Sequence, residues 1–235
     1  MLPLAILAGG LATRLGPVTS RTPKSLIAVA GRPFIYHQLE LLRSQGIDRV
    51  VLCVGHLADQ IRASVGDGNG LGLTIRYSYD GDRLLGTGGA IKKALPLLGT
   101  DFFVLNGDSY LPCSLAQIQS AYRSAGRPGL MTLVRNDNRW DRSNIVYRGG
   151  EIVEYDKHSI RADMAHIDFG LSVFSKDVFA KYQPARSIDL ADICRELVTS
   201  GQLAAFEVSG RFYEIGSQQG IIETQEFLSR RPANA

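Results

Sequence analysis

The chain has 235 residues, of which 45% are apolar, and its 26 Lys and Arg against 23 Asp and Glu leave a net charge of +3. That length fits one large domain at roughly 150 residues per domain; the apolar content excludes a wholly disordered protein, and the near-balanced charge argues against nucleic-acid or membrane-surface partners. Three scattered cysteines, Cys53, Cys113 and Cys194, form no CxxC pair, so neither a disulfide framework nor a zinc site is expected, in keeping with a cytoplasmic location. Leu4-Ala5-Ile6-Leu7 reads as a buried strand ended by Gly9-Gly10; the run is too short, and lacks the basic flank, for a signal peptide or membrane anchor. Pro33 opens a helix over 33–45, with Phe34, Ile35, Leu39, Leu41 and Leu42 as its apolar face and Gly46 beyond its end. A strand rich in β-branched residues is predicted over 49–54, a short helix over 57–65, and an alternating strand over 73–79. Residues 88–98 read as helix despite Pro96, 102–105 as a fourth buried strand, 114–124 as helix and 130–134 as strand. In the second half, 145–147 and 151–155 flank Gly149-Gly150 as a hairpin. A strand over 166–174, helices near 175–182 and 190–199, a strand over 203–208 and a closing helix over 217–228 follow.

Strands alternating with helices at this pitch imply right-handed crossovers. The expected class is α/β: a doubly wound, mostly parallel, Rossmann-like sheet with helices on both faces and a small β-containing part in the second half. Ligands of such sheets sit outside the carboxyl ends of the strands.

The segment Leu7-Ala8-Gly9-Gly10-Leu11-Ala12-Thr13-Arg14-Leu15-Gly16-Pro17 runs on to Thr22-Pro23-Lys24-Ser25-Leu26. Two glycines at a strand end present backbone N–H groups where no side chain blocks an anion. Arg14 offers a planar fork of donors for phosphate oxygens, Lys24 a compact positive charge, and Pro23 fixes the backbone ahead of that ammonium. The plain alternative is a glycine-rich turn with solvated basic residues. There is no Gly-Lys-Ser/Thr triplet and no GxGxxG, so neither a P-loop nor a dinucleotide-dependent dehydrogenase is indicated. Gly86-Thr87-Gly88-Gly89 opens a helix; it serves either as a simple helix start or as a place where a planar base lies close to backbone. Asn106-Gly107-Asp108 puts a carboxylate at a strand's carboxyl end, suited either to Mg²⁺ or to capping the next helix. His37, His56, His158 and His166 lack metal spacing and no serine has a GxSxG setting, so no covalent nucleophile stands out.

The first of these segments resembles the signature GGxxTRLxPxTxxxPKxL of the sugar-1-phosphate nucleotidyltransferases (the nucleoside-diphosphate-sugar pyrophosphorylases), with Gly16 one residue ahead of Pro17. The resemblance extends over nearly the whole chain. It implies a single nucleotidyltransferase domain over 1–235, divided into a nucleotide-binding part over 1–135, a sugar-phosphate-binding part over 136–229 and a tail over 230–235. It further implies that Leu7, Gly9, Gly10 and Thr13 surround a nucleoside triphosphate, with Gly86, Thr87, Gly88 and Asn106 completing the nucleotide site. Arg14 would then hold the leaving pyrophosphate, Lys24 the reacting phosphates, and Asp108 the Mg²⁺ cofactor. Arg211–Ser217 resembles the family's WxDIGT segment with Glu214 in the place of a second metal ligand; a carboxylate at a helix N-terminus is the competing reading. Asp156-Lys157 resembles an acid–Lys pair whose Lys, here Lys157, binds the sugar phosphate. Asp168-Phe169-Gly170 falls where relatives carry Asn-Ala-Gly, so Asp168 and Gly170 are expected at the sugar, with an acceptor-only group replacing an amide.

The short length, the stretch around Leu85-Gly86-Thr87-Gly88-Gly89-Ala90-Ile91 and Val54-Gly55-His56 most resemble heptose 1-phosphate guanylyltransferases. GTP and a heptose or hexose 1-phosphate are therefore the favoured substrates. Uridylyl or thymidylyl transfer to N-acetylmuramate 1-phosphate or glucose 1-phosphate stays open. So does a catalytically silent nucleotide-sugar-binding regulatory module, which the departures at Glu214 and Asp168 would fit. The expected partners are the two phosphorylated substrates, with no nucleic acid and no membrane, and the chain is compatible with a small homo-oligomer.

Overall fold

A computed structural model of the chain describes residues 1–10, 21–159, 161–183 and 186–230. The first strand, β1 (Leu4–Leu7), is buried at Leu4, Ala5 and Ile6. A single 3-10 turn over Lys24–Leu26 leads into a short hairpin, β2 (Ala28–Val29) and β3 (Arg32–Pro33), and then α1 (Phe34–Ser44). Next come β4 (Arg49–Val54), α2 (Ala58–Val65), β5 (Thr74–Tyr79) and α3 (Gly86–Ala94). They are followed by β6 (Asp101–Asn106), β7 (Ser109–Tyr110), α4 (Leu115–Ala125) and β8 (Gly129–Arg135). The remainder comprises β9 (Ile145–Arg148), β10 (Glu151–Tyr155), β11 (His166–Ser175), α5 (Leu190–Thr199), β12 (Leu203–Glu207), β13 (Tyr213–Glu214) and α6 (Gln218–Ser229).

Among the described residues, nine strands form one sheet. Its first half runs β5-β4-β1-β6 with every neighbour parallel. The long β11 then enters antiparallel, pairing β6 on one side and β8 on the other, and β12 adds parallel to β8. The β9–β10 hairpin attaches to the N-terminal end of β11. Side chains alternate across the pleat, and the two faces bury separate cores. Leu4, Ile6, Leu52 and Leu105 pack under α1, α2 and α4, whereas Ala5, Val51, Phe102 and Val104 pack under α3 and α5. The sheet is thus wound on both faces, as expected. The chain leaves β1 towards β4 and β5 and returns to β6 on the opposite side of β1. The crevice between the carboxyl ends of β1 and β6 is therefore the topological switch point where such folds bind ligands.

Several boundaries depart from the sequence expectation. The predicted helix over 88–98 stops at Ala94 and continues as a 3-10 turn over Leu95–Leu97, because Pro96 has no N–H to donate back along the helix. The helix expected near 175–182 is a single 3-10 turn, Lys176–Phe179, started by the Ser175 hydroxyl accepting from Asp177 N. The β2–β3 hairpin and the β7–β13 pair were not anticipated; two-residue strands carry no readable period. The second pair docks α6 through a small core of Val29, Phe34, Tyr110 and Ile215. No helix among the described residues is long and apolar enough to cross a membrane. Residues 231–235 of the expected tail lie outside the described residues.

Candidate active site

A cavity of about 420 Å³ opens at the switch point, lined by Leu7, Ala8, Gly10, Lys24, Ser25, Thr87, Asn106, Gly107, Asp108, Lys157 and Gly216. Each element delivers its part for a local reason. β1 and β6 run side by side in register, Leu7 opposite Asn106, so the loops that follow them begin at the same level. Gly107 N donates to the Leu7 carbonyl at 3.1 Å, and a side chain at Gly107 would put its Cβ 2.2 Å from that oxygen. Only glycine permits this approach, and it holds Asp108 directly over the end of β1. The Lys24–Leu26 turn then brings Lys24 Nζ to 2.6 Å from Asp108 Oδ2, with the side chains 16% and 29% exposed. A half-shielded ion pair of this kind faces the cavity with donor and acceptor capacity left over. Ser25 beside it is buried, and among the described residues its hydroxyl has no hydrogen-bond partner.

Lys157 also lines the cavity. Its ammonium lies 3.9 Å from Asp168 Oδ2 and 5.8 Å from the centre of the Tyr155 ring. Asp168 is held in place by its neighbours. Its Oδ1 accepts from Gly170 N at 2.9 Å, its Oδ2 accepts from the Tyr155 hydroxyl at 3.2 Å, and its own N–H donates to Asn144 Oδ1 at 3.1 Å. Burial, reinforced by the Asp168 charge, pushes the Tyr155 hydroxyl far above its ordinary pKa, so it remains a donor to that carboxylate. Gly170 sits at a break in the β11–β8 register with φ +94°, and a Cβ there would approach Ser109 Oγ and Asn106 Nδ2 at 3.1 and 3.2 Å.

Of the residues expected from sequence, Leu7, Gly10, Lys24, Thr87, Asn106, Asp108 and Lys157 share this one cavity. Arg14 and Thr13 lie outside the described residues. Gly9, Gly86, Gly88, Asp168, Gly170 and Glu214 are not on its wall. Gly9 packs against the end of β4, where a Cβ would stand 3.1 Å from Gly55 N. Gly86 and Gly88 make room for another part of the chain: the Ile188 carbonyl would lie 2.5 and 3.2 Å from their added Cβ atoms, and it accepts from Gly88 N and Gly89 N. Thr87 Oγ1 extends that junction, donating to Asp189 Oδ1 at 2.8 Å and accepting from Leu190 N. Burial opposes the ionised form of Asp189, but the Ala191 N–H, the Thr87 hydroxyl and the nearby Lys157 charge together hold its carboxyl below the usual range.

The structure brings Glu214 next to Asp108 along the backbone, with Glu214 opposite Ser109 in the β7–β13 pair and Ile215 N donating to the Asp108 carbonyl at 2.9 Å. Its carboxylate, however, accepts from Gly216 N and from the Ser217 hydroxyl, at the N-terminus of α6. Asp108 in turn does not cap α4; Ser114 does, accepting from Gln117 N. Ala8, Ser25, Gly107 and Gly216 line the cavity but were not singled out from sequence as contacts. Gly107 and Gly216 were visible there as glycines flanking the two acidic residues; Ala8 and Ser25 carried no signal of their own.

Among the described residues no cluster of three or more His, Cys, Asp or Glu side chains is arranged to hold a metal ion. The donor set therefore does not make an all-protein cage. It does fit Mg²⁺, which takes one or two carboxylates and completes its shell with substrate phosphates and water.

A family profile described as "Nucleotidyl transferase" matches residues 4–231. The chain is 27% identical over 223 residues to the mannose-1-phosphate guanylyltransferase catalytic subunit beta of Xenopus tropicalis, covering 92% of this chain and 62% of that one. It is 29% identical over 218 residues to a UTP–glucose-1-phosphate uridylyltransferase of Synechocystis, covering 83% and 55%. The chain thus spans about three fifths of the length of such curated relatives. Among solved structures, HddC from Yersinia pseudotuberculosis complexed with GMP-PN superimposes with a TM-score of 0.78 at 27% identity, covering 97% of this chain and all of that one.

Proposed function

The chain belongs to the nucleotidyl transferase family, and from that premise we propose that it transfers a nucleoside monophosphate from a nucleoside triphosphate, GTP in preference, to a heptose or hexose 1-phosphate, releasing pyrophosphate. The observation that carries this reading is the cavity at the switch point in which Lys24, Asp108 and Lys157 face one volume. Two polyanions that repel each other need fixed cations between them, and a phosphate nucleophile with a second pKa near ~6 needs no general base at neutral pH. In this reading the glycine loop after β1 and Thr87 receive the nucleotide. Lys24 and Ser25 hold the reacting phosphates, Arg14 takes up charge on the departing pyrophosphate, and Lys157 orients the phosphate of the sugar. Asp168, fixed by Tyr155 and Gly170, keeps Lys157 directed into the cavity and, once it exchanges those contacts, offers an acceptor towards the sugar hydroxyls. Asp108 would hold Mg²⁺, with Glu214 as the second carboxylate once it exchanges contacts at α6; the ion, when bound, neutralises phosphate charge and polarises the reacting phosphorus. A cytoplasmic location accompanies this reading, supported by three unpaired cysteines.

GTP is favoured because a guanylyltransferase and a structure holding GMP-PN are among the relatives; UTP with glucose 1-phosphate is the second choice, after the Synechocystis relative. The test is a matrix of GTP, UTP, dTTP and CTP against heptose, mannose, glucose and N-acetylmuramate 1-phosphates, scored by pyrophosphate with Mg²⁺ present or chelated. Release with GTP and a heptose or hexose 1-phosphate is the expected result. Nucleotide binding without release anywhere in the matrix would instead identify a silent binding module. Lys24→Ala should lower kcat about 100-fold, the scale of removing one preorganised electrostatic donor.

Ser25→Ala should act with opposite signs on stability and on binding. A buried hydroxyl without a partner costs about 1–3 kcal/mol, so its removal should raise the Tm of the ligand-free protein by a few degrees. The same change takes away a donor to a charged phosphate and should raise the nucleotide KM about tenfold. A variant that loses stability and keeps its KM would show that the hydroxyl serves packing alone.

A further inference from the structure

Two glutamines, Gln38 on the buried side of α1 and Gln45 just past its end, lie seven residues apart. Both spend their amides on the chain between β6 and α4. Gln45 accepts from Leu115 N at 2.9 Å and donates to the Cys113 carbonyl at 2.5 Å, close to the start of α4. Gln38 donates through the same Nε2 to the Asn106 carbonyl at 3.2 Å and the Ser109 carbonyl at 2.8 Å. Those two carbonyls bracket Gly107-Asp108. Gln38 is 1% exposed, and among the described residues its Oε1 has no hydrogen-bond partner. Around it on α1, Phe34, Ile35, Leu39 and Leu42 fill the core with apolar groups. A residue selected for packing would be apolar here too, since an unpaired buried amide oxygen is costly. The retained amide therefore points to its N–H donors.

The remaining ties on this loop come from its other sides: Lys24 pairs with the Asp108 carboxylate, and Ser109-Tyr110 pairs with β13. Gly107 N binds the end of β1, and the Asp108 carbonyl accepts from Ile215 N. Without Gln38, the Asn106 and Ser109 carbonyls on either side of Gly107-Asp108 would lose their tie to α1, and the backbone of the loop carrying Asp108 would be held only from the β1 and β13 sides. We infer that Gln38 is a positioning residue for Asp108: its amide clamps the carbonyls of Asn106 and Ser109 and so fixes where that carboxylate stands relative to Lys24. The consequence for turnover rests on the function proposed above; the clamp itself does not.

Gln45 provides a matched comparison, because it makes the same kind of contact from the end of α1 to a segment away from Asp108. Gln38→Met and Gln45→Met keep side-chain length while removing the amide, and both are expected to lower Tm to a similar degree. Gln38→Met should lower kcat about tenfold or more with substrate KM values nearly unchanged, as expected when a reacting group is misplaced, whereas Gln45→Met should stay within about twofold of wild type. Amide hydrogen exchange supplies a readout free of activity: Gln38→Met should speed exchange over 106–110, and Gln45→Met over 113–116. Equal kcat losses in the two variants, or unchanged exchange over 106–110 in Gln38→Met, would overturn the assignment. Gln38→Asn, one methylene too short to reach both carbonyls, should reproduce the exchange and kcat changes, and it decides the matter if Gln38→Met does not fold. A wild-type protein inactive across the substrate matrix would overturn the proposed function, and the exchange comparison would still decide the clamp.

Discussion

Asp108→Asn is expected to lower kcat by about two to three orders of magnitude while leaving the fold intact, the range seen when a group aimed at developing charge is removed. The substitution preserves size, and an amide oxygen can still accept from the Ser109 hydroxyl, which lies 3.3 Å from Asp108 Oδ1. What disappears is the negative charge. Lys24, at 2.6 Å, then loses its counter-ion, but the pair is partly exposed, so only a small stability change follows. An unpaired Lys24 attracts a polyphosphate at least as well as before, so the nucleotide KM should hold steady or fall. The predicted signature is thus a collapse of kcat at constant or lower KM, with a raised Mg²⁺ requirement. It separates the two roles that the sequence left open. A capping Asp is replaced by Asn with little loss, because both side chains accept from the same helix N–H groups. Turnover within a few-fold of wild type would remove Asp108 from the chemistry.

The parts of this site that were legible in the sequence are those whose signal is local. β4 and β6 are runs of apolar residues found within a residue or so of their predicted ends, and they fix the crevice by their register with β1. Lys24 and Asp108 were recognisable as the polar residues that follow strands or a fixed Pro, and the structure brings them into contact. The parts that were not legible depend on segments distant in sequence. Gly86 and Gly88 read either as a helix start or as space for a base; they do open α3, and their missing side chains also accommodate Ile188, about a hundred residues on. No periodicity reports such a contact. Gln38 illustrates an intermediate case. It is a polar residue inside the apolar stripe of α1, an inconsistency visible from sequence, but its partners could be named only once β6 was in place. Glu214 is similar: the pairing of β13 with β7 brings its backbone beside Asp108, while its side chain is claimed by the start of α6.

Gly107→Ala should damage stability and activity together, and for one geometric reason. The added Cβ would lie 2.2 Å from the Leu7 carbonyl oxygen, 2.8 Å from the carbonyl carbon and 3.1 Å from Ala8 Cα. All three atoms are backbone, so no rotamer change relieves the contact. Retreat of β1 is blocked as well, because Leu4, Ala5 and Ile6 are fully buried between the two helix layers. The loop carrying Asp108 must therefore lift away, breaking the bond from Gly107 N to the Leu7 carbonyl and straining the Gln38 clamp. Overpacking of this kind costs about 3 kcal/mol, which for a chain of this size is a fall in Tm of roughly 10 °C. A displacement of about 1 Å at the reacting group should add a kcat loss of about 100-fold, measured well below the transition on protein that is still folded. Gly70→Ala is the reference, since a Cβ there meets nothing within 4 Å and should be nearly silent in both assays. If Gly107→Ala melted like the reference and turned over normally, the close approach of β1 to the Asp108 loop could not be what sets the site. If it lost stability alone, the carboxylate would have to reach its working position by movement after substrate binds, and the fixed alignment argued for Lys24 and Asp108 would fail.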